Sequence, residues 1–279
     1  MDHDNHKGLS LRCPHGMDYA RTPVTKKLYD NLITSSMKEG IERMKIIGLI
    51  GGLSWESSQE YYRIINENVA QRLGGVHSAA CILYSVDFAE IEALQHQNRW
   101  EEAGHILSQV AKRVEQAGAD LLLICSNTMH LVAPAIQEQL NIPLLHIVDP
   151  TAEAIKEHDI QTVGLIGTRF TMEQPFYRGR LENDHELRVL IPAQTEREEV
   201  HEIIYQELVR GIINPESKRR YQEIIAGLIS QGAQGIILGC TEIMLLIHPN
   251  DVTVPTFDTT TLHALAAVNI ALATSPTTS

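Results

Sequence analysis

Positive charge is what this chain is short of: 23 Lys and Arg stand against 35 Asp and Glu in 279 residues, a net charge of −12. All of the acidic excess lies after residue 44, since residues 1–44 carry a net charge of +1 and the rest −13. A body that acidic excludes an extended nucleic-acid surface and repels anions at long range. An anionic ligand has to be held locally, by backbone N–H groups and a few placed arginines in a small enclosed site. Cysteine is scarce too. Cys13, Cys81, Cys125 and Cys240 show none of the paired short spacings of zinc or redox motifs, so reduced thiols in a cytoplasmic protein are expected. Cys13-Pro14-His15 has no second half nearby and reads as incidental rather than as a metal site. No apolar run approaches the roughly 18 residues of a membrane span, and the N-terminus lacks the contiguous apolar stretch of a signal peptide.

Several nucleotide and metal signatures are missing as well. Gly51-Gly52-Leu53-Ser54-Trp55 lacks the third glycine and the ribose-binding acid of a dinucleotide fingerprint, so no nicotinamide cofactor is expected. There is no Walker lysine motif and no His-Glu-x-x-His pair. What remains is a composition of 43% apolar and 21% charged residues, which suits a folded chain of one large or two medium domains with a ligand site between them.

Residues 1–44 carry mixed charge and no sustained apolar periodicity, and read as a mobile leader or an artificial remnant. From Lys45 the grammar changes. Ile46–Gly52 reads as a buried strand ending in a glycine turn, and Ser57–Leu73 as a helix. Strands at Ala79–Ser85, Asp120–Cys125 and Leu144–Val148 alternate with helices at Trp100–Gln116 and Met129–Gln139. A second series has strands at Thr162–Gly167, Arg188–Ile191 and Gly235–Leu238, with helices at Met172–Leu181, Arg197–Arg210 and Lys218–Gln231. Such alternation predicts an α/β fold with mainly parallel sheets.

The second series repeats the first. Ile47-Gly48-Leu49-Ile50-Gly51 matches Val163-Gly164-Leu165-Ile166-Gly167, and Gly118-Ala119-Asp120 matches Gly232-Ala233-Gln234 at nearly the same separation. Carried through without a gap, the second pairing sets Ser126, not Cys125, opposite Cys240. Two like domains facing across a pseudo-two-fold axis would bring both twins to one cleft. Each twin lies past the C-terminal end of a strand and at the start of the next helix, where open α/β sheets bind ligands. A helix start there attracts a carboxylate and lowers a thiol pKa, and Gly239 is expected to let a ligand approach the backbone. Ser126-Asn127-Thr128 would serve equally well as a helix cap. Cys125, one residue off, is expected in the core, and His130 reads as packed or solvated rather than catalytic.

Gly51-Gly52-Leu53-Ser54-Trp55-Glu56-Ser57, Tyr84-Ser85-Val86-Asp87-Phe88, Asn127-Thr128-Met129-His130, Gly167-Thr168-Arg169 and Gly239-Cys240-Thr241-Glu242 resemble the aspartate/glutamate racemase family over about residues 45–270. The resemblance implies two pseudo-symmetric parallel-sheet α/β domains with the active site in the cleft between them. The first would span 45–157, completed by a C-terminal helix at 259–273, and the second 158–258. It also implies a homodimer, a small amino-acid substrate, and catalysis without pyridoxal phosphate, metal or nucleotide. In the family one residue from each domain flanks the α-carbon, usually two cysteines. Here the first has become Ser126, as in a branch acting on L-aspartate and L-glutamate whose first position is threonine. Cys240 is then the competent base and Ser126 the proton-delivering partner, because a hydroxyl is a far weaker acid than a thiol. The resemblance makes Leu53, Gln95, Ser126, Asn127 and Thr128 candidates for substrate contact, with Asn127, Thr128 and Thr241 donating to the α-carboxylate. Arg169 and Arg178 are candidates for positive charge in the cleft. Where some relatives supply a lysine for the side-chain carboxylate, this chain reads Glu196-Arg197-Glu198-Glu199. Three other readings stand beside the racemase: an arylmalonate-type decarboxylase using Cys240 alone as proton donor, a catalytically silent binding protein, and a cysteine-nucleophile hydrolase.

Overall fold

Ile47–Gly51 forms β1, every residue buried, as a parallel strand covered on both faces requires. This is seen in a computed structural model that describes residues 43–273, so the leader reading of residues 1–44 falls almost wholly outside the described residues. After β1 comes Gly52, with φ 76°, where a side chain would collide with the Val86 backbone. The chain then enters α1 (Trp55–Leu73), capped by the Ser54 hydroxyl and burying Tyr61, Ile64, Ile65 and Val69 along one face. β2 (Cys81–Ser85), α2 (Phe88–His96), α3 (Trp100–Gln116) and β3 (Leu121–Ile124) follow. β1 pairs in parallel with β2 on one side and β3 on the other.

A 3₁₀ turn (Thr128–Val132), α4 (Ala133–Gln137) and α5 (Val148–Glu157) lead into a second pass over the same path. It runs through β4 (Thr162–Gly167), α6 (Arg169–Glu173), α7 (Pro175–Asn183), β5 (Arg188–Leu190), α8 (Gln194–Gln206), α9 (Pro215–Ser230) and β6 (Gly235–Gly239). α10 (Ile243–Leu246), β7 (Thr256–Asp258) and α11 (Thr259–Leu272) close the chain's described part. The strand orders are β2-β1-β3 and β5-β4-β6-β7, so the protein is α/β with two parallel sheets. In each, the chain leaves the central strand for one side and returns on the other, which opens a crevice at the strands' C-terminal ends. α11 returns to the first sheet and packs Ala264, Ala267, Val268 and Ala271 into the cluster holding Ile47, Leu49, Tyr61 and Leu123.

The internal repeat is visible in the ladders. Ile47 pairs with Leu121, and Val163 with Gly235. Asp120 and Gln234 play one part: their N–H groups each donate at 2.8 Å to the carbonyls of Ile46 and Thr162. Their side chains accept the N–H of those same residues, at 2.6 and 3.0 Å. Gly118 and Gly232 precede them with φ of 101° and 104°.

Four expected elements come out differently, the first being the helix expected over Arg197–Arg210, which ends as α8 at Gln206 and is followed by a 3₁₀ turn at Leu208–Arg210. The helix expected over Met172–Leu181 is two helices, because Pro175 has no N–H to continue α6 and holds Gln174 extended (ψ 147°). The helix expected over Met129–Gln139 is a 3₁₀ turn followed by α4, with Pro134 in its first turn. The strand expected at Leu144–Val148 shrinks to one parallel bridge, Leu144 to Leu122. Side chains take the backbone groups that would have extended it: His130 Nε2 accepts the Ile147 N–H (3.2 Å), and His263 Nε2–H donates to the Leu145 carbonyl (2.9 Å).

Two glycine substitutions separate backbone strain from helix propensity. Gly232→Ala forces a side chain onto a positive φ and should cost about 1–2 kcal/mol. Gly227→Ala, in α9 with open space around its Cβ, should gain about 0.5–1 kcal/mol. Urea midpoints at constant m-value, moving in opposite directions, are the expected result.

Candidate active site

The ends of β1, β3, β4 and β6 open on one pocket. It is lined by Leu53, Ser126, Asn127, Thr128, Thr168, Cys240, Thr241 and Glu242, and roofed by Phe88 and Gln95 of α2 and by Ile204, Tyr205 and Val209 from the α8 end. The structure therefore brings together Leu53, Gln95, Ser126, Asn127, Thr128, Cys240 and Thr241. It holds the two pseudo-symmetric positions, Ser126 and Cys240, in one lining. Its volume is about 20 Å³, room for about one water. The roof is an inter-sheet contact: Tyr205 O–H donates to Gln95 Oε1 at 2.8 Å, and the Gln95 amide donates to Met129 Sδ at 2.9 Å.

Glu242 is the hub. One carboxylate oxygen accepts from the Ser54 hydroxyl, and the other accepts from Cys240 Sγ–H and the Thr241 hydroxyl, both at 2.9 Å. Burial, Glu242's charge and its acceptor oxygen push the Cys240 thiol well above the ordinary range, outweighing the Thr241 and Glu242 backbone amides that pull it down. The resting group is a thiol. A thiolate favoured by a helix start is not what the structure provides, since α10 has only four residues. Gly239 needs a correction too: a Cβ there would meet Leu165 and the Ile166 carbonyl, so it serves strand packing and not ligand approach. Cys125 is fully buried in the α11 cluster and points away from the pocket, as expected.

In the same lining as Cys240, the Ser126 hydroxyl accepts the Met129 N–H at 3.4 Å, and the Ser126 carbonyl takes the His130 Nδ1–H at 2.7 Å. His130 is packed, as the sequence suggested, and it holds this turn in place. Asn127 spends one of its two amide N–H groups within the fold. The Thr259 hydroxyl donates to the Leu238 carbonyl (2.9 Å), so it accepts from Asn127 Nδ2 (3.0 Å), and this fixes the amide's orientation. Asn127 Oδ1 is left buried with no partner. Thr241 spends its hydroxyl proton on Glu242, while the Thr128 and Thr168 hydroxyls share one hydrogen bond at 2.9 Å. Of the three expected carboxylate donors, Thr241 has its hydroxyl proton engaged, while Thr128 and the second N–H of Asn127 Nδ2 keep that capacity.

The two arginines part ways. Arg169 lines a separate outer cavity of about 470 Å³ with His96, Asn98 and Glu173, sharing only Gln95 with the inner pocket. Arg178 lies on α7, paired with Glu182 at 2.9 Å, and does not line the pocket. Glu242, Thr168, Phe88, Ile204, Tyr205 and Val209 are lining residues that sequence reasoning did not assign to the site. Thr168 could have been found by symmetry, as the helix-capping residue after β4 that matches Ser54 after β1. The roof residues are brought in by packing between the two sheets and leave no local signal. Among the described residues no group of His, Cys, Asp and Glu is arranged to hold a metal ion, and no helix is long and apolar enough to cross a membrane.

Two outcomes follow from these charges. Glu242→Gln removes the negative neighbour, so the pH midpoint for iodoacetamide labelling of Cys240, followed by mass spectrometry, should fall. The second concerns acid stability. Burial pushes His130 down to about 4 and His263 to about 3 from 6.5, so below pH 6.5 the unfolded chain binds protons that the folded one refuses. Stability is complete above about pH 6.5 and should drop towards pH 3, by up to about 1.4 kcal/mol per pH unit per histidine. Urea midpoints between pH 7 and 4 test this, and unchanged midpoints would contradict it.

The comparisons with known proteins agree with this geometry. A family model described as Asp/Glu/Hydantoin racemase matches residues 50–267. The crystal structure of a candidate Asp/Glu racemase from Yersinia pestis is 53% identical, with a TM-score of 0.77 over 82% of this chain and 100% of that one. An aspartate racemase homologue from Pyrococcus horikoshii OT3 is 36% identical, with a TM-score of 0.71 over 82% of this chain and 99% of that one. The broad specificity amino-acid racemase RacX of Bacillus subtilis is 26% identical over 58% of this chain and 70% of its own. With paired parallel sheets, a duplicated strand-end site and a family match spanning most of its length, the chain belongs to the Asp/Glu/hydantoin racemase family.

Proposed function

We propose that the protein is a cofactor-independent amino-acid racemase that inverts the α-carbon by proton transfer between Cys240 on one face and Ser126 on the other. The observation that carries this reading is that the two pseudo-symmetric strand-end positions line one pocket, each bearing a group able to exchange a proton. The polar half of the pocket suits an α-amino acid. Glu242 and the unpartnered Asn127 Oδ1 accept from an ammonium, and the Thr128–Thr168 hydroxyl pair donates to a carboxylate.

Cys240 needs a base to become one. Its Sγ–H already points at Glu242 Oε2, so the thiol proton passes to that oxygen and the thiolate removes the α-proton. The Ser126 hydroxyl then delivers a proton to the opposite face of the carbanion, and on product release the Ser126 oxygen takes a proton from solvent while Glu242 gives its extra proton up, which restores the resting state. A serine is a poor base, so exchange should begin more readily on the Cys240 side, which the resemblance associates with the L enantiomer.

Proton NMR in D₂O, with chiral analysis and no added cofactor, tests the proposal. Wild-type protein should show α-proton loss together with inversion, the α-proton loss being faster from L. Cys240→Ala should lose both by about 10²-fold or more. Ser126→Ala should lose inversion by a similar factor and keep α-proton exchange in one enantiomer. Ser126→Cys should regain inversion. Cys240 is the pocket's one thiol, which also suits the arylmalonate-type decarboxylase reading. Carbon dioxide release from an arylmalonate, with no exchange in any amino acid, would replace the racemase by that activity.

A further inference from the structure

The pocket's other half bears on the substrate's side chain. Leu53, Phe88, Ile204 and Val209 give it an apolar wall, and no Lys, Arg or His side chain lines it. Its one carboxylate, Glu242, is already buried, and among the described residues it makes no ion pair. A substrate with a second carboxylate would bury another negative charge beside it without a cation, which is among the costliest arrangements in a protein interior. A neutral amino acid brings one cation and one anion and meets acceptors and donors for both.

The cations that could serve an acidic side chain are engaged or outside. Arg197 is paired with Glu173 at 2.7 Å, and Arg178 with Glu182 at 2.9 Å. Arg169 faces the outer cavity, and Gln95 stands between the two spaces, held on both of its amide atoms by Tyr205 and Met129. On that side the pocket presents the neutral Gln95 amide, not Arg169.

We infer that the substrates are α-amino acids with an uncharged, largely apolar side chain, seated against Leu53, Phe88, Ile204 and Val209, and that aspartate and glutamate are disfavoured. This rests on the racemase reading above and narrows its substrate class.

The test is α-proton exchange in D₂O by the full-length wild-type protein with L-methionine, L-leucine, L-valine, L-aspartate and L-glutamate under one set of conditions. Methionine or leucine should exceed both acidic amino acids in kcat/KM by about 10²-fold. Aspartate or glutamate as the fastest substrate overturns the inference and leaves the racemase standing. If that preference then disappears in Arg169→Gln, the side-chain carboxylate is bound by the outer arginine. No exchange with any of the five removes the racemase reading and this inference with it. Val209→Arg provides a second measurement, since a cation placed on the wall should raise the aspartate-to-methionine ratio by about tenfold or more. An unchanged ratio, in a variant whose circular dichroism and Tm match wild type, would mean that the wall does not face the side chain and would overturn the assignment.

Discussion

A single buried carboxylate ties the two sheets together at the point where chemistry is proposed. Glu242 follows β6, yet one of its oxygens is held by Ser54, the residue that caps α1 after β1. The other oxygen holds the thiol of Cys240 and the hydroxyl of Thr241. A carboxylate in that position stays in place only while all three donors remain turned towards it. The protonation of Cys240 and the start of α1 are thus tied to one side chain, and neither can change without disturbing the other.

The histidines behind the pocket stabilise its other wall in a quieter way. His130 and His263 each use both ring nitrogens on fixed partners: a carbonyl and an N–H for His130, and a carbonyl and a tyrosine hydroxyl for His263. They replace ladder hydrogen bonds that a strand at Leu144–Val148 would have made. In the second sheet β7 occupies the equivalent place, and Pro255 offers its carbonyl to Ile236 as Pro143 does to Leu122. The duplicated fold has kept its plan while one copy exchanged a strand for side chains that fix the Ser126 turn.

Much of this was legible in the sequence because it is local or periodic. Buried strands such as Ile47–Gly51 appear as unbroken apolar runs, and α3 is marked by spacing alone over its full observed length, Trp100–Gln116. The pairing of Ser126 with Cys240 was legible in the repeat, and the strand registers keep its offset to within two residues. What escaped is non-local. Leu144–Val148 has a strand's composition, and only rings from His130 and His263 explain why it is not one. The orientation of the Asn127 amide is set by Thr259, 132 residues away, and has no local signal. α2, whose Phe88 and Gln95 form part of the roof, is too short and too weakly periodic to stand out.

The twins are alike in position and unlike in chemistry, and for the activity proposed here that asymmetry meets a thermodynamic limit. Enantiomers have equal free energy in an achiral solvent, so the ratio of kcat/KM in the two directions must be one whatever groups flank the α-carbon. A thiol on one face and a hydroxyl on the other therefore cannot drive net conversion to either hand. They can only divide each kcat/KM differently, so a higher kcat from one enantiomer has to be matched by a proportionally higher KM for it. Replacing a cysteine by Ser126 would then leave the equilibrium untouched and shift the concentrations at which each direction saturates.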